Sequence, residues 1–286
     1  MSTAAPLVVA DGLGVDSTAM LLGYAQRGIR PDLILHADTG GEHPETVAYI
    51  AERRRWLASV GFPDLIVVRR KPVIDGKKGS YATLEENCLV NETLPSLAFG
   101  YKACSLKWKR EPQDKYVAAW EPAILAWAAG LKVRKAIGYD AGPSDARRSA
   151  LKDDKRYAYE YPLRTWGWDR DRCIVELLDA GLPVPRKSAC FFCPASKAHE
   201  VADLVERYPD LADRIVAMER RAQPRLISIT GLWRKPIKGR LATPARVAVG
   251  RKPARPARPA IAPRPGSMTE YIESLRAVRL VESEAA

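Results

Sequence analysis

The sequence is short of the features that mark membrane and secreted proteins. In 286 residues no apolar run approaches the roughly 18 that a membrane-spanning helix needs, so a span of that kind is excluded. The amino terminus does not join a basic segment to a long apolar one, so no secretory leader is expected and the expected compartment is the cytoplasm. Cysteine is scarce and odd in number, at positions 88, 104, 173, 190 and 193. With a Cys-x-x-Cys among them and no secretion signal, this favours metal ligation over a disulfide framework. Acid is missing altogether from residues 234–266, which hold ten Lys and Arg.

What is present supports one sizeable core, since 47% of the chain is apolar. The net charge of +12 is unevenly spread: +10 for residues 234–266, −2 for 267–286 and +4 for the body, 1–233. A polyanion partner is therefore expected at the tail and not on the body.

The most informative stretch is residues 10–20, Ala-Asp-Gly-Leu-Gly-Val-Asp-Ser-Thr-Ala-Met. It lies between an apolar run at 6–9 and a helical pattern at 17–27, which reads as strand, glycine-bearing turn and helix N-terminus. Gly12 and Gly14 are expected to take torsions that a Cβ forbids, and Ser17 and Thr18 to cap the first turn beside an anion site. No Gly-Lys-Ser/Thr follows, which excludes Walker A, and no third glycine completes Gly-x-Gly-x-x-Gly. Asp16 beside phosphates points to a Mg²⁺-bridged nucleotide. The turn is similar to the Ser-Gly-Gly-x-Asp-Ser PP-loop of the adenine-nucleotide alpha-hydrolases at Gly14, Asp16 and Ser17, and departs from it at Gly12 and Leu13.

Further strands are expected at 31–37, 64–68, 133–138 and 159–163, with helices at 44–60, 116–129, 170–180, 195–207 and 209–222. Alternating strands and helices predict an α/β, Rossmann-like parallel sheet, with ligands at the strands' carboxyl ends. Those ends carry the first turn, Asp38-Thr39, and the loop with Arg147 and Arg148, a residue type suited to bidentate phosphate contacts. Cys104 stands in a basic field of Lys107, Lys109 and Arg110, which favours thiolate or an anion. Cys190 and Cys193 can grip one metal or cluster, and a redox pair is the competing reading. Cys173 sits at the edge of a helix's apolar stripe, where packing and ligation are both open.

Together these pieces resemble, over residues 8–233, the phosphoadenosine-phosphosulfate reductase-like branch of the PP-loop superfamily. The resemblance implies a nucleotide, ATP or the sulfonucleotide, bound with Mg²⁺ by Gly12, Gly14, Asp16, Ser17, Thr18, Asp38, Thr39, Gly138, Arg147 and Arg148. Asp16, Ser17 and Lys107 are its catalytic candidates. In many members it implies a [4Fe–4S] cluster. Cys190 and Cys193 match the family's Cys-x-x-Cys, Cys104 matches the second of an upstream Cys pair whose first position is Ala103 here, and Cys173, before Cys88, is the candidate fourth ligand. Zinc would satisfy the same thiolates. The reductases' nucleophilic cysteine near the C-terminus has no counterpart after Cys193, which turns the expectation towards members that adenylate a substrate and transfer sulfur.

The expected organisation is a nucleotide-binding domain at 1–165, a helical cysteine-bearing part at 166–233, a disordered Pro-rich basic linker at 234–266 and an amphipathic docking helix at 267–286. The leading functional expectation is an ATP-dependent enzyme that activates or thiolates a nucleic acid held by residues 234–266. A sulfonucleotide reductase using an external thiol, and a non-catalytic nucleic-acid-binding protein, are the other two.

Overall fold

A computed structural model describes residues 5–95, 103–146, 151–245 and 257–284. The chain forms two compact units, one made of residues 1–73, 82–84 and 103–190, the other of 74–81, 85–102 and 191–286.

The first unit is a five-stranded, all-parallel sheet in the order β3-β2-β1-β4-β5. Its strands are β1 (Leu7–Ala10), β2 (Leu33–Asp38), β3 (Leu65–Arg69), β4 (Val133–Ile137) and β5 (Tyr157–Glu160). β1 to β3 are near-continuous apolar runs, the composition of strands covered on both faces. Alternation splits them between two cores. Leu7 and Val9 face the helices α1 (Val15–Gln26) and α8 (Arg170–Asp179), packing with Met20, Leu21, Leu163, Cys173 and Leu177. Val8 faces the other way, with Leu33, Leu35, Val117, Ala123 and Tyr157. α2 (Pro44–Ser59) crosses from β2 to β3, and α4 (Glu111–Ala119) and α5 (Glu121–Ala128) precede β4. The single helix expected over 116–129 is broken at Trp120, which is extended (ψ 121°) and precedes the start of α5 with Pro122 in its first turn. The expected boundary after residue 165 falls inside this unit, because α8 buries Cys173 and Leu177 against α1. The fold is Rossmann-like α/β, and its order reverses between β1 and β4, so the loops leaving those two strands flank one crevice.

The remaining elements of the first unit are a π-helical turn at Ser105–Arg110, α6 (Pro143–Ala146) and α7 (Pro162–Thr165). In the second unit, most of α3 (Leu84–Asn91) accompanies α9 (Ala198–Arg207), α10 (Pro209–Ala222) and α11 (Met268–Glu284). The last three bury Val201, Leu204, Ile215, Met218, Met268 and Ile272 with Leu232 and Trp233. α11 is thus no free docking helix: Met268 and Ile272, on one face of its first two turns, are core. Its N-terminus is held by the buried carboxylate of Glu219, which accepts Ser267 Oγ (2.5 Å), Met268 N (3.0 Å), Thr269 N (2.7 Å) and, from the other chain segment, Leu232 N (2.5 Å).

The described parts of residues 234–266 are not an unpaired linker either. They pair antiparallel at Ile237–Arg264, Arg240–Ile261 and Thr243–Arg258, each rung with both N–H···O bonds at 2.7–3.0 Å. Rungs recur every third residue, whereas a regular ladder pairs every second. The reason lies in the prolines. Pro236, Pro244, Pro259, Pro263 and Pro265 have no N–H to give and none stands on a rung: Pro259 and Pro263 fall between rungs and the other three just outside the end ones, so a proline-rich sequence that cannot make a sheet can still make this ribbon.

Because four donors converge on one carboxylate, Glu219→Gln should replace an acceptor by an amide NH₂ facing donors. We expect a loss of about 2–3 kcal/mol from the second unit in denaturant unfolding, close to the cost of a charged hydrogen bond left unmade; an unchanged midpoint would contradict it.

Candidate functional site

The turn after β1 is organised from below by Asp11. Its Oδ1 accepts the amide of Leu13 and the hydroxyl of Ser17, both at 2.7 Å, and its Oδ2 lies 3.1 Å from Arg53 Nε. Both side chains of that ion pair are shut off from solvent, at 0% and 1% exposure. Arg53 comes from α2, stacks near the rings of Tyr49 and Trp56 (5.3 and 5.6 Å), and donates to the hydroxyl of Thr18. Thr18 in turn donates to Gly14 O at 2.7 Å. The hydroxyls of Ser17 and Thr18 are therefore committed inside the protein, and neither caps α1.

Gly14 is the N-cap, with φ −102° and ψ 179° and no side-chain cap. The first-turn amides of Val15, Asp16 and Ser17 precede the first intrahelical bond, Thr18 N to Gly14 O, and make the anion-binding end of the helix. The glycines do not work as expected. Neither Gly12 nor Gly14 is left-handed; the left-handed residue is Leu13, with φ 58° and a side chain buried in the core. Gly138, just past the end of β4, comes so close to the first turn that a Cβ there would lie 3.2 Å from Ser17 N and Cα and press on that backbone.

Across the crevice, the loop after β4 supplies two carboxylates that the sequence reading did not single out. Carboxylate oxygens of Asp16, Asp140 and Asp145 lie within 4.8 Å of one another. Arg170 Nη1 bonds Asp16 at 2.8 Å. Burial raises the pKa of Asp16, with Asp140 and Asp145 adding to the rise and Arg170 opposing it. Three carboxylates gathered this closely make an oxygen-ligand set of the kind a divalent cation takes. The signal in the sequence was positional: Asp140 and Asp145 leave the strand next to β1. Arg147 and Arg148 lie outside the described residues.

At the end of β2, Asp38 accepts Gly40 N (2.7 Å) and Arg69 Nε (2.8 Å). Thr39 Oγ1 lies 3.2 Å from Glu42 Oε1 and 3.0 Å from Cys190 Sγ. Glu42 is buried and paired with Lys109 at 3.3 Å. Cys104 immediately precedes the π-helical turn that carries Lys109, a conformation enriched at functional sites. Lys107, on the same turn, is exposed and lines a separate cavity of about 520 Å³ with Arg110, Glu111, Lys115 and Arg156.

The thiols divide by environment. Cys104 is half-buried, and Cys190 is bonded to a hydroxyl. Cys173 is fully buried among apolar side chains, and its thiol is pushed up to about 12 by burial, then by Asp16 and Asp140. The carboxylates of Asp16 and Asp140 act on it from the turn after β1 and the loop after β4. Cys173 has the surroundings of a packed hydrophobe, enclosed in the core with Met20, Leu163 and Leu177. Cys88, in α3, is buried, and Cys193 is half-buried with its carbonyl accepting Ser196 N; both belong to the second unit.

No known family profile and no curated protein matches the chain. Among solved structures, a U34-tRNA thiolase NcsA from Methanococcus maripaludis with its [4Fe-4S] cluster is similar at 14% identity and a TM-score of 0.39, over 77% of this chain and 71% of that one. Among the described residues no helix is long and apolar enough to cross a membrane.

Asp11→Ala strands Arg53 without its carboxylate in the interior and should cost about 3–5 kcal/mol in unfolding experiments. Native-state alkylation at pH 8, read by mass spectrometry, should modify Cys104 and spare Cys173. The sign follows from the raised thiol: the neutral form is favoured in the fold, so Cys173 supports stability below the ordinary thiol pKa and withdraws that support as pH climbs towards 12.

Proposed function

We propose that this chain is an ATP-dependent enzyme of the PP-loop type that adenylates a nucleic-acid target, in the service of sulfur insertion. The observation that supports this reading best is the uncapped N-terminus of α1 facing three carboxylates from two adjacent strand ends. Amides that donate to phosphate, set beside acids that bind a cation, suit a metal–nucleotide polyphosphate.

The first-turn amides of α1 hold the phosphates and orient the α-phosphorus towards the crevice mouth. Asp16, with Asp140 and Asp145, would hold Mg²⁺, which when bound neutralises charge building on departing pyrophosphate. Arg170 keeps Asp16 turned towards the crevice. An oxygen of the target attacks the α-phosphorus, the bond to the β-phosphate oxygen breaks, and pyrophosphate leaves, so the target oxygen becomes part of a good leaving group for sulfur. Asp38 and Thr39 line the ribose side at the end of β2. Cys104, Cys190 and Cys193 are the thiols assigned to an iron–sulfur cluster, with zinc as the alternative. Cys104 and Cys190 suit that role, the first in a basic field and the second beside the Thr39 hydroxyl, and such a cluster supplies or relays sulfide when bound.

Labelled ATP tests the reading. Wild-type protein should release pyrophosphate in a Mg²⁺- and target-dependent manner, and Asp16→Ala and Asp140→Asn should each lower that rate by roughly 100-fold or more while remaining folded. Sulfite release from a sulfonucleotide, in place of pyrophosphate release, would overturn it. Iron and sulfide analysis after anaerobic purification should find the metal kept by Cys173→Ala and lost by Cys190→Ser. Without nucleotide, Mg²⁺ should raise the unfolding temperature. Ionised Asp16 opposes folding because its pKa in the fold is raised, so the gain from the cation should be largest near neutral pH and fade as pH falls through that raised value.

A further inference from the structure

We infer that the ribbon of residues 234–245 and 257–266 is a preformed arm for the sugar–phosphate backbone of a nucleic acid, read by charge alone. The inference deepens the proposed function by placing the grip on the target, and rests on it only for the target's class.

Its charges are regularly placed. Each of the three rungs joins one arginine to one uncharged residue, and the arginines alternate between strands: Arg264, then Arg240, then Arg258. Rungs three residues apart on extended, proline-rich chain lie roughly 9 Å apart. Lys235 and Lys238 stand beside the first rungs, exposed like Arg240 and Arg258. Among the described residues, no carboxylate pairs with Lys235, Lys238, Arg240 or Arg258, whereas exposed cations elsewhere, such as Lys115, Arg172 and Arg220, are ion-paired. The charge left uncompensated stands on exposed, two-stranded chain.

The root is fixed. Glu219 ties both ends of the ribbon segment, through Leu232 on one side and Ser267 to Thr269 on the other. Trp233 anchors to Ser196 O at 2.8 Å and carries Arg264 over its ring at 4.2 Å. An arm ordered before binding avoids much of the entropy that a disordered tail would lose.

The residue types select the partner's chemistry. Residues 234–266 contain no Phe, Tyr or Trp, so the arm has nothing on which bases stack and no aromatic anchor for a bilayer interface. What it offers is a row of cations, which matches a row of phosphates.

Deleting residues 234–286 is the wrong test, because it strips Met268 and Ile272 from the core of the second unit. The full chain with Lys235→Gln, Lys238→Gln, Arg240→Gln and Arg258→Gln keeps every rung. Binding is measured without ATP, on a duplex oligonucleotide of about 20 base pairs across a salt series. With four fewer cations set against the phosphates, the slope of log K against log salt should become shallower by about 3, and affinity near 0.1 M salt should fall roughly 10³-fold. Intrinsic fluorescence and the unfolding midpoint should match wild type, which separates lost charge from lost fold. Unchanged affinity and slope would overturn the inference. So would equal or tighter binding of wild type to phosphatidylserine vesicles. Because no step of the assay uses ATP, failure here leaves the nucleotide site standing, and failure of pyrophosphate release leaves the arm standing.

Discussion

The buried pair of Asp11 and Arg53 is the constraint on which the nucleotide side of the molecule depends. Two opposite charges without solvent are costly to inter, and such a pair is weak evidence of stability in itself. Its effect here is geometric. Asp11 spends its remaining valence on the Leu13 amide and the Ser17 hydroxyl, and Arg53 spends its own on Thr18. The loop cannot relax without exposing a charge to a medium that will not solvate it. The first-turn amides of α1 are thus held outward by an arrangement made wholly behind them.

The sheet order does the rest. With β1 and β4 adjacent and their connections running to opposite sides, the two loops leaving them face one another. Asp16 arrives from one, Asp140 and Asp145 from the other. Acids more than 120 residues apart in the chain become near neighbours because two strands hydrogen-bond, and Gly138 lets the second loop approach the first turn closely.

The parts of this that were legible in the sequence are those governed by local rules. Apolar runs bounded by turn residues located the first four strands, whereas the fifth, expected at 159–163, runs over Tyr157–Glu160 and gives way to helix at Pro162–Thr165, where Pro162 has no N–H for a ladder; Asp169 with Gly181 bracketed α8, whose N-cap carboxylate does accept Arg172 N at 2.8 Å. The parts that were not legible depend on tertiary partners. Ser17 and Thr18 look like caps, but a buried acid and a buried arginine outbid the helix for their hydroxyls. Leu13 looks like a departure from a glycine motif, yet it takes the glycine torsion (φ 58°) and compensates by burying its side chain in the core. Cys173 looks like a ligand by count and is a core residue by position. The tail looks disordered by composition, because composition does not show that its prolines fall off the rungs.

The spacing of those rungs restricts how the arm can vary. A ribbon bonded at every third residue has a triplet grammar: one residue inserted between rungs breaks the register on either strand, and on the second it brings Pro259 or Pro263 to a donor position. Length can change only by whole triplets, matched on both strands, each adding or removing one rung. The reach of the arm should therefore come in discrete steps of roughly 9 Å, and a protein built this way would lengthen its hold on a polyanion as a ruler is extended, one graduation at a time.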